Sequence, residues 1–353
     1  MNEQAQEESA AENADVMAVE ARIDAAIGAR ADLVDERHET AFRVLNGFRE
    51  GVPGLVIDIF GRTAVLHDHD DMSNGGEPGR ERISAACARL LDRLPFLQSI
   101  ILKPRTAADP AERRGRFVYG ETSDRRIREN GVWYALDLFL NQDASFYLDT
   151  RNLRAWATAN LAGKSVLNTF AYTGSLGVAA MAAPARKVVN LDLNRAFLNV
   201  AKASYTLNGF PIRQKEFVSG DFFSRVTALK RSNELFDCVF VDPPFFSQTR
   251  YGTVDLVTEY HRILNKVRPL VADGGTLVAI NNALFVPGAD YVALLEGLCA
   301  DGYMTIEEHV EMPDDTIGYP QTRVDDEIVS PAPFNGPTKI AVLRVRRKDG
   351  RKE

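Results

Sequence analysis

The sequence predicts an α/β protein in which a doubly wound, mostly parallel sheet is preceded by a smaller α+β domain. From residue 151 onward, short apolar segments alternate with amphipathic segments of helical period, which is the pattern of repeated βαβ units. Strands are expected at 165–169, 187–191, 215–218, 237–241 and 276–280, with helices at 176–183, 195–208, 222–230 and 253–271. Two later strands, near 304–311 and 339–346, are expected to complete one edge of the sheet.

The first part of the chain has a different composition. Residues 1–37 hold ten acids and three arginines, a net charge of −7, and the remainder has 39 acids and 39 bases. This acidic segment is expected to be disordered at its start and helical near 19–27. Residues 38–128 predict the small α+β domain. Residues 129–353 are expected to form the second domain, which opens with a hairpin of 132–138 and 144–148.

Composition excludes several classes of protein. The chain has 353 residues, of which 45% are hydrophobic and 26% charged, as in ordinary globular proteins. No segment approaches the ~20 apolar residues of a membrane span, and no signal pattern opens the chain, so we expect a cytoplasmic protein. Three separated cysteines predict neither disulfides nor a metal site. Both a monomer and a homodimer fit the sequence.

One short segment carries most of the functional information. Residues 236–247 read Phe-Asp-Cys-Val-Phe-Val-Asp-Pro-Pro-Phe-Phe-Ser, an apolar strand that stops at Asp242, Pro243 and Pro244. Two consecutive prolines prevent the helix or strand from continuing, so the chain leaves in a fixed, extended turn. An acid followed by Phe245 in a rigid loop suits a site for a flat substrate. The simpler interpretation is a strand end with a capping aspartate and two core aromatics.

The other strand ends favour the ligand site. In a doubly wound sheet, ligands bind beyond the carboxyl ends of the strands. The second and third predicted strands of the sheet end at Asp192 and Asp221. The fifth ends at Asn281 and Asn282. Each residue alone fits a helix cap or a turn, but the set as a whole does not. The first strand continues into Asn168-Thr169-Phe170-Ala171-Tyr172-Thr173-Gly174, which lacks the glycine spacing of a dinucleotide site.

Together these residues resemble class I S-adenosylmethionine-dependent methyltransferases, which have a Rossmann-like methyltransferase sheet. More narrowly, the chain is similar to the bacterial family that methylates large-subunit ribosomal RNA at cytosine C5 or guanine N7, and it is closer to the guanine-N7 branch. The similar segments span roughly residues 40 to 347 and include 51–58, 146–151, 166–177, 207–209, 236–247, 333–335 and 338–341.

The resemblance implies S-adenosyl-L-methionine as cofactor and RNA, most specifically large-subunit ribosomal RNA, as partner. Phe170, Tyr172 and Gly174 would line the methionine moiety, Asp192 would accept from the ribose hydroxyls and Asp221 would meet the adenine. The full implied cofactor set is Arg151, Asn168, Phe170, Tyr172, Thr173, Gly174, Asp192, Leu193, Asp221 and Asp242. The implied catalytic set is Asp242, Pro243, Pro244, Phe245 and Asn281.

Two features depart from the family pattern. The acidic residues 1–37 stand where some members carry a small RNA-binding domain. Residues 141–145 read Asn-Gln-Asp-Ala-Ser in place of a Gly-Gln-Lys-Thr-Gly-like hairpin, which removes a lysine and puts the substrate contacts of that hairpin in question.

The target atom follows from the cysteines. Methylation at cytosine C5 requires a cysteine that adds to C6, and in the family's C5 branch it follows the fifth strand. Residues 279–283 contain none, and Cys238, within the fourth strand, is expected in the core. A base nitrogen is therefore predicted, with guanine N7 favoured and an exocyclic amine as another fit. Two other functions share the pattern: methylation of a protein or small molecule, and non-catalytic RNA binding with a degenerate pocket.

Some charged residues admit two interpretations. His67 and His69 lie on one predicted strand face and resemble a metal site, but a polar strand end fits better because no third ligand is evident. Basic clusters that suit phosphate binding, or a solvated surface, lie at 113–116, 125–128 and 344–352.

Overall fold

The computed structural model describes residues 3–70, 76–324 and 329–350. Met1 and Asn2 of the acidic segment, Asp71 beside the histidine strand, and Arg351 and Lys352 of the last basic cluster lie outside these residues. Within the described ranges, no helix is both long enough and apolar enough to cross a bilayer.

The described α-helices are α1 (Glu3–Ala29), α2 (Gly47–Glu50), α3 (Glu77–Arg93), α4 (Pro110–Arg113), α5 (Arg151–Asn160), α6 (Ser175–Ala182), α7 (Arg195–Leu207), α8 (Phe222–Arg231), α9 (Tyr260–Val267), α10 (Gly288–Cys299) and α11 (Asp314–Ile317). Short 3-10 helices cover Ala31–Leu33, Gln214–Glu216 and Arg268–Leu270.

The described strands are β1 (Ala41–Asn46), β2 (Leu55–Phe60), β3 (Thr63–Asp68), β4 (Ser99–Pro104), β5 (Arg116–Tyr119), β6 (Arg126–Glu129), β7 (Val132–Ala135), β8 (Ser165–Thr169), β9 (Lys187–Asp192), β10 (Phe217–Ser219), β11 (Phe236–Val241), β12 (Phe246–Thr249), β13 (Gly252–Asp255), β14 (Val271–Asn281), β15 (Met304–Val310) and β16 (Lys339–Val345).

The chain divides into two compact units that interleave along the sequence. Unit 1 contains Met1–Gly131, Leu136–Leu148 and Pro313–Asp326, and unit 2 contains Val132–Ala135, Asp149–Met312 and Glu327–Glu353. The sequence placed one boundary at 128–129, whereas the structure returns two later segments to unit 1. These segments belong to unit 1 because of contacts between residues far apart in sequence. The Arg30 guanidinium, for example, donates to the carbonyl of Asp315 at 2.9 Å.

Unit 1 is built on a five-stranded sheet in the order β1-β2-β3-β4-β5, in which only β3 and β4 run parallel. Helix α1 is longer than the predicted short helix, since residues rich in Ala and Glu have high helix propensity. Val19, Ile23 and Ala26 lie one turn apart and bury that face of α1 in the unit 1 core. Asp24 on α1 accepts from Arg93 of α3 at 2.9 Å. The expected disordered start is therefore helical from residue 3 onward.

Unit 2 confirms the predicted α/β class. Its seven strands lie in the order β10-β9-β8-β11-β14-β16-β15, and the first five are parallel. The predicted late strands do complete one edge, where β16 pairs antiparallel with both β14 and β15. Alternate residues of β11 enter two different cores, with Val239 and Val241 in one and Cys238 and Phe240 in the other. Helices therefore cover both faces of this sheet.

Two predicted elements after residue 131 were wrong. The predicted helix 253–271 is in fact strand β13, a short turn, helix α9 and a 3-10 helix. The predicted hairpin of 132–138 with 144–148 does not form, because residues 144–148 contain no strand. Asn130 and Gly131, both with positive φ (50° and 82°), place a tight turn before β7.

Strand β7 belongs to unit 2 because the end of α7 holds it. The side-chain oxygen of Asn208 accepts from Trp133 N at 2.9 Å, and its amide nitrogen donates to Trp133 O at 2.6 Å. Ser204 Oγ accepts from Ala135 N at 2.9 Å. Asn208 thus bonds to β7 as a neighbouring strand would, which gives segment 207–209 a structural role.

Candidate active site

The turn after β8 has an unusual backbone. Phe170 and Tyr172 have φ of 53° and 50°, and Gly174 has φ of 77°. Positive φ at a bulky residue costs roughly 1–3 kcal/mol and persists only where neighbours hold it. Here Phe170 stacks on Phe222 with ring centroids 4.4 Å apart, and Tyr172 meets the Phe197 ring edge-on at 4.6 Å. The predicted methionine-lining residues therefore form a rigid, preformed turn.

Asp192 ends β9 and accepts two backbone hydrogen bonds. Tyr172 N donates to Oδ2 and Asn194 N donates to Oδ1, both at 2.8 Å. Burial raises the pKa of Asp192, and these two bonds oppose the rise. Each carboxylate oxygen keeps a lone pair for a further donor, such as a ribose hydroxyl. Leu193 follows with 65% of its side chain exposed, so it presents an apolar surface beside this acid.

The structure gives Asn168 a packing role. Its amide nitrogen donates to Asn190 Oδ1 at 3.0 Å, and Asn190 in turn donates to the hydroxyl of Tyr205 at 3.2 Å. A Cβ on Gly177 would lie 2.1 Å from Asn190 Oδ1, so glycine is needed there to admit this amide. Thr173 is also buried. These hydrogen bonds link β8, β9 and α7, and the cofactor contact expected of Asn168 stays a prediction.

Asp221 lies just beyond β10 and has a partner on each carboxylate oxygen. Oδ1 accepts from Ser224 N at 2.9 Å, which caps α8, and Oδ2 accepts from Thr249 Oγ1 at 2.6 Å. The preceding Gly220 donates its N–H to Asp192 O at 2.9 Å, which ties the ends of β9 and β10 together. Both the helix-cap interpretation and the ligand-site interpretation of Asp221 are therefore compatible with its geometry.

Asp242, directly after β11, lies beside a second carboxylate that the sequence analysis had not singled out. Burial, and then the charge of Asp149, raise the pKa of half-buried Asp242 to about 7. Asp149 Oδ2 accepts from Thr338 Oγ1 at 2.8 Å. Its Oδ1 is buried and accepts no hydrogen bond from any described residue. In the described chain, neither carboxylate forms an ion pair with a Lys, Arg or His.

Two buried tyrosines lie near Asp242 and bond to the backbone of β14. Tyr260 donates to Ile280 O at 2.8 Å and Tyr291 donates to Ala279 O at 2.9 Å, which joins α9 and α10 to β14. Burial first, and the charge of Asp242 among the further causes, raise the pKa of both phenols. Asp242 therefore has uncharged phenols near it rather than a cation. No sequence pattern singled out Tyr260, whose position is set by packing of α9 against β14.

The loop after Asp242 presents aromatic side chains to solvent. Pro243 is buried and Pro244 is exposed, while Phe245 and Phe246 are 51% and 58% exposed. The interpretation of these phenylalanines as core aromatics is therefore wrong. Leu256 N donates to Phe245 O at 3.2 Å, so the chain returns to the loop after forming the β12–β13 hairpin.

The end of β14 separates two neighbouring amides. Asn281 is buried: its Oδ1 accepts from Ala283 N at 2.9 Å and its Nδ2 donates to Leu256 O at 3.3 Å. Asn282 is half-buried and makes no side-chain hydrogen bond to the described residues. Phe285 in the same loop is 69% exposed. Asn281, predicted as catalytic, thus shapes the loop, and Asn282 is the amide available to a ligand.

Lys339 is a second site residue that the sequence analysis did not single out. It pairs with Asn281 in the β14–β16 register and is almost fully buried. Its Nζ donates to Ala283 O at 2.9 Å and to Pro337 O at 2.6 Å, and burial lowers its pKa to about 8. Lys339 therefore fixes the loop that carries Asn282.

The remaining predicted residues have clear positions. Arg151 is the first residue of α5, half-buried and two residues after Asp149. In unit 1, His67 is buried with Nε2 3.4 Å from Asp58 Oδ2, and Arg43 pairs with the same carboxylate at 2.7 Å. Asp58 and Arg43 form an internal ion pair, and burial lowers the pKa of the adjacent His67. The described chain contains no group of three or more His, Cys, Asp or Glu arranged to hold a metal.

The strand order brings most of these groups to one edge. The carboxyl ends of β10, β9, β8, β11 and β14 lie side by side, and the order reverses between β8 and β11, where α/β sheets bind ligands. A family model of S-adenosylmethionine-dependent methyltransferases matches residues 98–318. The chain belongs to this family.

Relatives and solved structures agree with this methyltransferase assignment. The chain is 31% identical over 251 residues to ribosomal RNA large subunit methyltransferase I of Aeromonas salmonicida, which covers 70% of this chain and 62% of that protein. A protein of the same name from Alteromonas mediterranea is 26% identical over 289 residues, 81% of this chain and 71% of that protein. The chain thus spans less than two thirds of the first relative's length.

Two solved structures share the fold. A protein assigned as a methyltransferase, SMU.776, in complex with SAH has a TM-score of 0.79 at 20% identity, covering 94% of this chain and 82% of that one. A protein from Streptococcus mutans, assigned as a SAM-dependent methyltransferase, has a TM-score of 0.78 at 20% identity, covering 94% and 81%.

The methyltransferase site fits S-adenosylmethionine (SAM) on its own geometry. The rigid turn at Phe170 and Tyr172 gives a shaped surface, Asp192 has unused lone pairs, and Asp149 keeps a buried oxygen without a hydrogen-bond donor. When bound, SAM supplies an electrophilic methyl group on a positively charged sulfur. An acidic pocket without a paired cation suits a ligand with that charge.

Proposed function

We propose that this methyltransferase transfers a methyl group to a base nitrogen, with guanine N7 favoured, in large-subunit ribosomal RNA. The transfer is direct and in line, with no covalent cysteine intermediate. Support for the RNA comes from the names of the relatives, which are ribosomal RNA large subunit methyltransferases. The observation that carries the base target is the exposure of Phe245, Phe246 and Phe285, which we call the aromatic edge.

The aromatic edge suits an unpaired base. Phe245 and Phe246 follow β11 and Phe285 follows β14, and these two strands are parallel neighbours. Both loops therefore leave the sheet at the same end. Proteins that read single-stranded RNA stack its bases on exposed aromatics, and Asn282 can add hydrogen bonds to a base edge.

The three cysteines support attack by a nitrogen lone pair. A nucleophilic cysteine needs a lowered pKa and access to the base. Burial raises the pKa of Cys238 in β11 and of Cys299 on α10, and it raises the pKa of Cys87 in unit 1 to about 11. Guanine N7 needs no such help because its lone pair lies in the base plane, so orientation and proximity suffice.

Within this proposal, the chain's own residues bind and orient the two substrates. Asp192 binds the ribose hydroxyls and Asp221 the adenine, while Asp242 faces the methyl donor and the cationic product. Pro243 and Pro244 fix the loop, and Asn281 shapes the next one. The residues proposed to contact the cofactor are Arg151, Asn168, Phe170, Tyr172, Thr173, Gly174, Asp192, Leu193, Asp221 and Asp242.

Unit 1 contributes a surface that suits RNA. Strand β5 is an edge strand, and its Arg116, Val118 and Tyr119 are exposed, as is the nearby Arg114. Exposed arginine and aromatic side chains together favour nucleic-acid backbone and base contacts. As part of the same proposal, the protein acts in the cytoplasm; free thiols at all three cysteines agree with a reducing compartment.

A second candidate target is an exocyclic base amine. The pKa of Asp242, raised to about 7, is matched to a group that accepts a proton at neutral pH. Methylation of an amine releases such a proton, whereas methylation at guanine N7 does not.

Identification of the labelled nucleoside tests the proposal. The protein is incubated with tritiated SAM and deproteinised large-subunit RNA from cells that lack it, and the RNA is digested to nucleosides. We expect the label on 7-methylguanosine, with transfer retained in the Cys238→Ala and Cys299→Ser variants. Label on cytosine C5, or loss of transfer in either variant, would contradict the proposal.

Label on an exocyclic amine would favour the second candidate. SAM binding without RNA methylation would favour a protein or small-molecule substrate, and no SAM binding would favour a non-catalytic protein.

A further inference from the structure

The β12–β13 hairpin directly continues the Asp242–Phe245 loop. Phe246 pairs with Asp255 and Thr249 pairs with Gly252, which leaves a two-residue tip of Arg250 and Tyr251. Both tip residues are exposed, and the Arg250 guanidinium lies 4.6 Å from the centre of the Tyr251 ring. Because Phe246 is the first residue of this hairpin, the position of the hairpin sets the positions of Phe246 and the adjoining Phe245.

Two contacts attach the hairpin to the start of α8. Thr249 Oγ1 donates to Asp221 Oδ2 at 2.6 Å, across 28 residues of sequence. A Cβ on Gly252 would lie 2.7 Å from ring carbons of Phe223, so glycine allows the hairpin to approach α8. Thr249 Oγ1 also accepts from Tyr251 N at 3.2 Å, so this one hydroxyl orders the tip as well.

Asp221 is well held at the other end of this contact. Its Oδ1 caps α8 through Ser224 N, and its side chain is largely buried. Oδ2 keeps a lone pair after accepting from Thr249, since a carboxylate oxygen accepts two donors. A second donor from the cofactor would therefore meet the same oxygen that holds the hairpin.

We propose that Thr249 is a positioning residue that links the cofactor pocket to the substrate-binding loop. Its hydroxyl, held by Asp221, fixes the β12–β13 hairpin and with it Phe245 and Phe246. A cofactor whose adenine amino group donates to Asp221 Oδ2 holds that carboxylate in place for Thr249, so cofactor binding orders the hairpin. This inference rests on the proposed role of Asp221 in binding adenine.

Limited proteolysis measures this link without RNA. Trypsin can cut after Arg250 at the exposed tip, and cleavage after the exposed Arg213 in unit 2 serves as an internal reference. In the unaltered protein, we expect S-adenosylhomocysteine (SAH) to slow cleavage after Arg250 and to leave cleavage after Arg213 unchanged. The Thr249→Val variant keeps the shape but loses the hydroxyl. It should be cut roughly tenfold faster after Arg250, with little effect of SAH, whereas Thr249→Ser should restore the protection.

A second variant, Gly252→Ala, tests the hairpin's attachment to α8 without removing the Thr249 hydroxyl. Gly252→Ala leaves the hydroxyl in place and moves the hairpin away from Phe223, so it should also expose Arg250 to trypsin. Steady-state kinetics add the functional readout: Thr249→Val should raise KM for RNA more than it lowers kcat, and Thr249→Ser should reverse this. A purely structural role would instead lower the melting temperature without changing the response to SAH.

Two outcomes would overturn the inference. One is equal cleavage after Arg250 with and without SAH in the unaltered protein. The other is a Thr249→Val variant that SAH still protects. The RNA proposal fails in a different measurement. In that case the protein transfers no methyl group to RNA, although its proteolysis still responds to SAH as expected.

Discussion

The carboxylates of Asp149 and Asp242 form a like-charged pair at the carboxyl edge of the unit 2 sheet. The charge of Asp149 adds to burial in raising the pKa of Asp242 to about 7, and Asp149 itself keeps a buried oxygen without a donor. Two neighbouring carboxylates repel each other, so a bound positive charge between or beside them is stabilising. The sulfonium of the methyl donor carries such a charge.

Removal of the charge at position 149 should shift the pH dependence of catalysis. Asp149→Asn keeps the side-chain size and can still accept from Thr338, but it removes one of the two causes that raise the pKa of Asp242. Because burial remains, that pKa should fall only part of the way from about 7 towards its usual value. The acidic limb of kcat/KM against pH should move to lower pH. An unchanged limb would mean that Asp149 does not act on Asp242.

The affinity for SAM should depend on pH more strongly than the affinity for SAH. Asp242 ionises as the pH rises through about 7, and the carboxylate attracts the sulfonium of SAM but not the neutral sulfur of SAH. Titration calorimetry from pH 6 to 8 should show SAM binding tighten with rising pH and SAH binding change little. Asp242→Asn should remove the difference between the two ligands. Parallel curves for SAM and SAH in the unaltered protein would contradict this role.

Two glycine variants separate backbone strain from steric contact. Gly163→Ala adds a Cβ at φ 70° with no atom within 4 Å, so it carries only the left-handed backbone cost of about 1–2 kcal/mol. Gly174→Ala has a similar φ of 77°, but its Cβ would lie 2.6 Å from Ala201 Cβ. We expect a larger fall in melting temperature for Gly174→Ala, and roughly tenfold or more weaker SAM binding in that variant alone. Equal effects of both variants on SAM binding would show that the turn at Gly174 does not contribute to the cofactor site.

Loss of one ring from the aromatic edge should weaken the binding of RNA and leave the binding of the cofactor unchanged. Stacking of a base on an aromatic side chain contributes about 1–3 kcal/mol, so Phe245→Ala or Phe246→Ala should raise KM for RNA by roughly 5- to 150-fold. The dissociation constant of SAH should stay the same. Ile212→Ala, an exposed apolar change after α7, serves as the matched control. Equal loss of RNA and SAH binding would indicate a folding defect instead.

Local sequence patterns predicted the parallel sheet well, because β8, β9 and β10 are short apolar segments that are each followed by a helix. The same patterns placed Asp192, Asp221 and Asp242 at strand ends, where the structure also has them. The β12–β13 hairpin was missed because its turn residues, Arg250 and Tyr251, carry no turn signal.

Long-range contacts account for the rest of the difference. The Asp149–Thr338 hydrogen bond joins residues 189 positions apart, and no local pattern predicts it. The neighbouring amides Asn281 and Asn282 have the same chemistry in the sequence, and the long-range hydrogen bond from Asn281 to Leu256 O is visible only in the structure. Segment 313–326 joins unit 1 through Arg30 for the same reason.

The Asp149–Thr338 contact also sets an order of events during synthesis. A ribosome that adds 5–20 residues per second needs roughly 10–40 seconds to travel from the first partner to the second. During that interval β16 does not yet exist, so Asp149 lacks its hydroxyl donor and Lys339 is not there to fix the loop after β14. A growing chain therefore completes the surroundings of Asp149 late, well after the residues that would bind the adenosine have left the exit tunnel.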